Sequence, residues 1–219
     1  MIRGLIFDLD GVLVHTDVLH YRAWKALAGR LGLPFTQEQG DRCRGISRMG
    51  SLEILLENSG RSYTDREKLR MAEEKNDSYR ALLQGLTPGD VPEGALETLQ
   101  ALRRRGYLLA LASSSKNAGL ILARTGLGAL LDQVVDGNQI SRSKPDPEVF
   151  LRAARLLELP PEDCVGVDDA LAGVESARAA GMTAAAIGPA AQAGAGDWNL
   201  SRLEDLLLLC PGVKGEGAE

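Results

Sequence analysis

Four carboxylates stand at the ends of two short apolar runs of this sequence. The runs are LIF at 5–7 and CVGV at 164–167, and the carboxylates that follow them are Asp8, Asp10, Asp168 and Asp169. Short apolar runs of this kind indicate buried strands of a parallel sheet, whose carboxyl ends meet at the edge where ligands bind. Four carboxylates at one edge repel one another unless a cation lies among them. Because no His or Cys residues cluster nearby, an all-oxygen site for Mg²⁺ is the simplest remedy.

Hydroxyl and ammonium groups follow two further apolar runs. Ser113 and Ser114 come after LLALA at 108–112, and Lys144 lies in the loop that follows the run at 133–135. Such groups, opposite a metal ion, are what an anionic phosphoryl group needs, so the set suggests phosphoryl transfer. A single Asp after a strand is more often a turn or helix-cap residue. The interpretation therefore depends on the four strand ends occurring together.

The elements that must position these residues alternate along most of the chain. Apolar runs alternate with amphipathic helical stretches at 95–105 and 147–157, and a fifth run lies at 183–187. This order predicts an α/β fold with a doubly wound parallel sheet. Between residues 14 and 86 the periodicity is helical throughout, which is too long for a crossover connection. We therefore expect a core domain of residues 1–14 and 88–219 and a helical cap domain of residues 15–87; the Ala- and Gly-rich segment 190–197 is expected to be mobile surface.

Composition excludes several classes of partner. The 219 residues carry 25 basic and 30 acidic side chains, a net charge of −5, which weighs against nucleic acid and anionic membranes as partners. Asp8 and Asp10 interrupt the N-terminal apolar stretch, so it is neither a membrane span nor a signal peptide. Three widely spaced cysteines suggest free thiols in a reducing compartment. We expect a soluble, cytoplasmic, monomeric protein that binds no nucleic acid and no membrane.

Four segments resemble the motifs of the haloacid dehalogenase (HAD) superfamily of phosphotransferases: FDLDGVL at 7–13, Ser113 after its strand, SKPDP at 143–147 and VDDALAG at 167–173. The resemblance implies a Rossmann-like core in which Asp8 is the nucleophile that forms an aspartyl-phosphate and Asp10 is the general acid and base. Ser113 and Lys144 would hold the phosphoryl group. The metal site, for Mg²⁺, would comprise Asp8, Asp10, Asp168 and Asp169.

Further segments resemble the β-phosphoglucomutases within that superfamily: HYRAWKALAGRLG at 20–32, RGISRMGSLEILL at 44–56, EEKNDSY at 73–79 and LASSSKN at 111–117. The resemblance implies interconversion of β-glucose 1-phosphate and glucose 6-phosphate through a bound sugar 1,6-bisphosphate. Arg48 of the cap, with Ser115, Lys116 and Asn117 of the core, would bind the second phosphate. His20 and Lys75 would couple cap closure to the placement of Asp10. The remaining substrate contacts would be Gly45, Ile46, Trp24 and Ser114.

Each cap assignment has a plainer alternative. Arg48 could be a solvated charge at a helix start, His20 a packed or surface histidine, and Trp24 ordinary helical core. Lys75 stands beside Glu73 and Glu74 and could form a surface ion pair.

Two alternatives to the mutase activity also stay open. One is a sugar-phosphate phosphatase with the same chemistry, in which water attacks the aspartyl-phosphate. The other is a non-catalytic sugar-phosphate binding module, against which the retention of both Asp8 and Asp10 argues. The sequence also departs from the family pattern: His15 stands where an acidic residue is usual, and Asp168 stands where Glu is common.

Overall fold

The structure, a computed structural model, describes residues 1–44 and 46–213. The chain divides into two compact units, one of residues 16–86 and the other of residues 1–15 with the chain from residue 87 onward. We call them the helical unit and the α/β unit. The described helices, in chain order, are α1 (Asp17–Leu31), α2 (Gln37–Arg42), α3 (Arg48–Leu56), α4 (Asp65–Leu83), α5 (Ala95–Arg104), α6 (Ala118–Thr125), α7 (Glu148–Leu156), α8 (Leu171–Ala179), α9 (Gly188–Gln192) and α10 (Leu206–Leu209).

The α/β unit is built on a parallel sheet whose strand order is β3-β2-β1-β4-β5-β6. The doubly wound α/β fold expected from the apolar runs is confirmed. β1 is central and all four of its residues are buried, which explains its uninterrupted apolar run. The strands are β1 (Gly4–Phe7), β2 (Leu108–Ala112), β3 (Gln133–Val135), β4 (Cys164–Asp168), β5 (Thr183–Ala186) and β6 (Trp198–Asn199).

The end of the sheet beyond β5 differs from expectation. Residues 190–197 were expected to be mobile surface, but Ala190 is buried in the core of the unit. The Asp197 carboxylate accepts hydrogen bonds from the Ala184 backbone N–H and from Arg178, both at 2.8 Å. These contacts fasten both ends of the segment to the α/β unit, which corrects the expectation for Ala190 and Asp197, whereas residues 192–194 are exposed at the surface as expected.

The helical unit has its own apolar core, which includes Trp24, Leu52 and Met71. The sequence also specifies where its longest helix begins. Thr64 and Glu67 form a reciprocal capping box at the start of α4, in which the Thr64 N–H donates to the Glu67 carboxylate at 2.8 Å. Within the described residues, no helix combines the length and the apolar character that crossing a membrane requires.

Candidate active site

Asp8 stands where β1 ends, and its backbone N–H donates to the Val167 carbonyl of the neighbouring β4 at 2.8 Å. The chain then turns sharply at Gly11, whose φ is +88°. A Cβ at this position would lie 2.5 Å from the Asp169 carboxyl carbon, so only glycine fits between the turn and that carboxylate. The pairing of β1 with β4 thus brings Asp8 and Asp169 to one edge of the sheet, and Gly11 lets the turn after Asp8 pass close to the Asp169 carboxylate.

The Lys144 ammonium joins two of the carboxylates. It donates to Asp8 at 2.5 Å and to Asp168 at 2.8 Å, and its side chain is 2% exposed. Burial opposes the charge on Lys144, but Asp168 and Asp8 outweigh it and raise the pKa of the ammonium. Burial raises the pKa of Asp8 well above its usual range; Lys144 opposes this rise, and Asp168 and Asp10 add to it.

Three carboxylates of the α/β unit form a group that could hold a metal ion. Asp8, Asp168 and Asp169 are all buried and can each offer an oxygen atom within 4.8 Å of the others. A compact set of buried anionic oxygens suits a hard divalent cation and is costly without positive charge. Asp168 also accepts a hydrogen bond from the Ala170 N–H at 3.0 Å, so both of its oxygens have protein partners. Asp10 lies two residues from Asp8 but is not in this group, and its role as a metal ligand stays a prediction.

Residues 113–117 form a loop between β2 and α6 whose side chains cap its own backbone. The buried Ser113 hydroxyl accepts from the Ser115 N–H at 3.1 Å, and the Ser115 hydroxyl accepts from the Asn117 N–H at 3.2 Å. The Ser114 hydroxyl is buried and has no hydrogen-bond partner in the described part of the chain. Lys116 is exposed, whereas Asn117 is buried directly before α6. The loop therefore offers hydroxyl, amide and ammonium groups to an anion.

In the helical unit, His20 and Trp24 of α1 pack against Lys75 of α4. The Lys75 ammonium lies 2.9 Å from His20 Nδ1 and 4.7 Å from the centre of the Trp24 ring. Lys75 is buried, so its interpretation as a surface ion pair is wrong. Trp24 is also buried within the apolar core, which fits the packing interpretation better than a substrate contact.

Arg48 is the first residue of α3 and is half-buried. Its guanidinium donates to the Asn76 side-chain oxygen at 2.8 Å, so the helix-start charge is held by a protein partner. Ile46 is half-buried in the preceding turn, and Gly45 lies outside the described residues.

Two neighbours of these residues escaped the sequence analysis. The first is Asn76, which accepts the hydrogen bond from Arg48. The second is Tyr79, whose ring centre lies 3.9 Å from that of His20 and 4.5 Å from the Lys75 ammonium. Tyr79 is four residues after Lys75, and Trp24 is four residues after His20, so each pair shares one helix face. That spacing was the available signal for Tyr79.

We expect the pKa of His20 to lie well below its ordinary value near 6.5 in an NMR titration. Burial lowers it first, and the positive charges of Lys75 and Arg48 lower it further. Since an ammonium group can only donate, His20 Nδ1 accepts and the ring is neutral with its proton on Nε2. Lys75→Met should raise the pKa towards 6.5 without reaching it, because the burial remains.

The measurement is simple because the chain has only two histidines. His15→Gln identifies the His20 signal. The lowered pKa means that His20 binds a proton less readily in the folded state than in the unfolded state. The packing of neutral His20 therefore stabilises the fold above about pH 6.5, and this stabilisation declines as the pH falls below that value. A wild-type His20 that titrates at or above 6.5 would contradict the described packing.

Comparison with known proteins places this geometry in a family. A model of haloacid dehalogenase-like hydrolases matches residues 2–181. The chain is 39% identical to a β-phosphoglucomutase from Bacillus subtilis over 85% of its own length and 83% of that protein. It is 33% identical to a phosphorylated carbohydrates phosphatase from Thermotoga maritima over 82% of each chain. A crystal structure of β-phosphoglucomutase from Clostridium difficile is similar with a TM-score of 0.88 and 35% identity, over 94% of this chain and 93% of that one.

Proposed function

The chain belongs to the haloacid dehalogenase-like hydrolase family, and we propose that it is a phosphomutase that interconverts β-D-glucose 1-phosphate and glucose 6-phosphate. The observation that carries this proposal is the similarity to the B. subtilis and C. difficile β-phosphoglucomutases over most of the chain. The similarity includes both the α/β unit and the helical unit. The buried arrangement of Asp8, Lys144, Asp168 and Asp169 supports the chemistry.

The reaction begins with phosphoryl transfer to or from Asp8. A carboxylate oxygen of Asp8 bonds to phosphorus as the bond from phosphorus to the sugar oxygen breaks, and Asp10 gives that oxygen a proton. In the reverse direction Asp10 takes the proton from a sugar hydroxyl as its oxygen attacks the aspartyl-phosphate. Lys144 is 2.5 Å from Asp8 and neutralises charge on the transferring group.

A mutase cycle needs these two transfers in sequence. The phosphorylated Asp8 gives its phosphoryl group to the 6-hydroxyl of β-glucose 1-phosphate, which forms the 1,6-bisphosphate. The bisphosphate then reorients, and its 1-phosphoryl group passes to Asp8. Glucose 6-phosphate leaves, and Asp8 remains phosphorylated for the next cycle.

We assign Mg²⁺ as the cofactor from the donor chemistry of the carboxylate group. Asp8, Asp168 and Asp169 would hold the ion, and their three carboxylates outweigh the one positive charge of Lys144, which pairs with two of them. When bound, the ion supplies positive charge to the phosphoryl oxygens and offsets the repulsion among the carboxylates.

A sugar-phosphate phosphatase is the second candidate, and the T. maritima phosphatase relative favours it. The two are distinguished by supplying β-glucose 1-phosphate and Mg²⁺ with and without a trace of glucose 1,6-bisphosphate. A mutase needs the bisphosphate, because unphosphorylated Asp8 has no phosphoryl group to give. If no glucose 6-phosphate forms even when the bisphosphate is present, the proposal is contradicted.

We expect Arg48→Ala to separate the two activities. The resemblance assigns Arg48 to the second phosphate, and losing a charge-assisted contact weakens binding by about 10- to 100-fold. Glucose 6-phosphate formation should fall accordingly, while hydrolysis of a simple acyl phosphate at Asp8 should stay near the wild-type rate. Coupled assays for glucose 6-phosphate and inorganic phosphate measure both.

Arg42→Ala is the matched control for this variant. Arg42 lies in the same unit and pairs with Glu57 at 2.8 Å on the surface, so its loss should leave both rates unchanged. Equal losses of both activities in Arg48→Ala would remove Arg48 from the second phosphate site.

We also propose that the enzyme acts as a monomer in the cytoplasm on small sugar phosphates and bisphosphates. The net charge of −5 supports a small-molecule substrate rather than nucleic acid or membrane, and the three cysteines, all free thiols, support a reducing compartment.

A further inference from the structure

The loop that follows β3, residues 136–139, contacts the loop 113–117 directly and has no role in the mechanism above. β3 is the neighbour of β2 in the sheet, so the two loops leave adjacent strand ends. The Ser113 N–H donates to the Val135 carbonyl at 3.0 Å, and the Gly137 N–H donates to the Ser115 carbonyl at 3.1 Å. Residues 136–139 therefore hold the loop 113–117 in place, and we call this set of contacts the brace.

Asn138 makes the side-chain contact of this brace. Its amide nitrogen donates to the Lys116 carbonyl and to the Asp136 carboxylate, each at 3.1 Å. The same Asp136 carboxylate accepts from the Asn138 backbone N–H at 2.8 Å, which fixes the Asn138 amide. The Asn138 amide group therefore donates one hydrogen bond to the loop 113–117 and one to its own loop, residues 136–139.

Gly137 lets the two backbones approach this closely. A Cβ on Gly137 would lie 3.0 Å from the Lys116 nitrogen and 3.0 Å from the Ser114 carbonyl carbon, and nearer still to the Ser114 oxygen. Backbone atoms cannot give way as a flexible side chain can. Any larger residue at this position must push the 113–117 loop from its place.

We propose that Asn138 and Gly137 are positioning residues that set how tightly residues 115–117 hold the phosphate that is not being transferred. This inference rests on the proposed function and on the assignment, implied by the family resemblance, of Ser115, Lys116 and Asn117 to the second phosphate of the sugar bisphosphate. The brace holds the carbonyls of Ser115 and Lys116, and thus the backbone that carries these three side chains. Its described hydrogen bonds to the loop go to Ser115 and Lys116 and not to Asp8, Ser113 or Lys144, so loss of the Asn138 contact acts on bisphosphate affinity rather than on transfer at Asp8.

The experiment compares Asn138→Ala with the wild type in two assays. In bisphosphate-dependent formation of glucose 6-phosphate, the loss of one hydrogen bond should raise the KM for the bisphosphate about 3- to 10-fold with little change in kcat. Hydrolysis of acetyl phosphate, which carries one phosphoryl group, should be unchanged. Asn138→Gln keeps the amide donor and should recover part of the affinity, whereas Gly137→Ala should raise the KM more than Asn138→Ala.

Asn199→Ala is the matched control. Asn199 lies at the opposite edge of the sheet, and its amide likewise donates to a loop carbonyl, that of Gly196, at 3.0 Å. Its loss should leave the KM unchanged. An unaltered KM in Asn138→Ala, or a parallel loss of acetyl phosphate hydrolysis, would overturn the inference while the mutase activity of the wild type stands. A wild type that forms no glucose 6-phosphate would overturn the proposed function and this inference with it.

Discussion

Asp8→Asn should abolish both glucose 6-phosphate formation and phosphate release. The amide nitrogen and oxygen of asparagine cannot replace the carboxylate that attacks phosphorus, so the loss should reach about 10⁴-fold or more. Asp8 can offer an oxygen within 4.8 Å of oxygens of Asp168 and Asp169, and another contact joins it to the Lys144 ammonium at 2.5 Å. Mass spectrometry of the protein after exposure to acetyl phosphate should show a phosphoryl adduct on the wild type and none on the variant.

The fold of this variant should persist, because asparagine has nearly the size and shape of aspartate. Circular dichroism and thermal unfolding check this. Asp163→Asn is the matched control, since Asp163 stands before β4 and pairs with the exposed chain terminus at 3.0 Å. It should retain full activity. A phosphoryl adduct on a folded Asp8→Asn protein would remove Asp8 from the role of nucleophile.

Lys144→Met should reduce both stability and activity. The ammonium is 2% exposed and serves two buried carboxylates, and removing one partner of a buried charge group typically costs about 3–5 kcal/mol. The free energy of unfolding in urea should fall by about that amount. Activity should fall about 10²- to 10³-fold, because the transferring phosphoryl group loses a fixed positive charge. Added MgCl₂ should raise the stability of the variant more than that of the wild type, since a cation among the carboxylates replaces part of the missing charge.

Lys68→Met is the control for Lys144→Met and tests whether the loss of any ion pair lowers the free energy of unfolding by the same amount. Lys68 pairs with Glu53 at 2.7 Å, but the Glu53 side chain is 55% exposed, so the expected cost is about 1 kcal/mol or less. Equal stability of Lys144→Met and the wild type in the absence of metal would show that the carboxylates do not depend on this ammonium.

The sheet could be predicted because its strands are buried on both faces. β1 and β2 are continuous apolar runs, and β4 is one as far as Val167. A polar residue of the site follows each run, as Asp8 follows Phe7 and Asp168 follows Val167. β6 was missed because two residues at a sheet edge carry no pattern. The segment before it is rich in Ala and Gly, a composition that indicated surface, but the small Ala190 side chain fits into the core beside β5.

Contacts over long separations were the harder part of the site. The neighbouring Glu73 and Glu74 suggested a surface ion pair for Lys75. Its partner is instead His20, which is 55 residues away along the chain, and the contact is visible only when α1 and α4 are packed together. The role of residues 136–139 was also hidden, because Asp136, Gly137 and Asn138 have the composition of an ordinary turn. The hydrogen bonds from the Gly137 N–H to the Ser115 carbonyl and from the Asn138 amide to the Lys116 carbonyl show that this turn braces another loop.

The fate of the phosphoryl group tests the central claim most directly. Enzyme, Mg²⁺, β-glucose 1-phosphate and a trace of glucose 1,6-bisphosphate are incubated, and ³¹P NMR follows glucose 6-phosphate and inorganic phosphate together. A phosphomutase built on Asp8 converts the substrate into glucose 6-phosphate as the main product. Inorganic phosphate as the main product would contradict the account and identify the enzyme as a phosphatase.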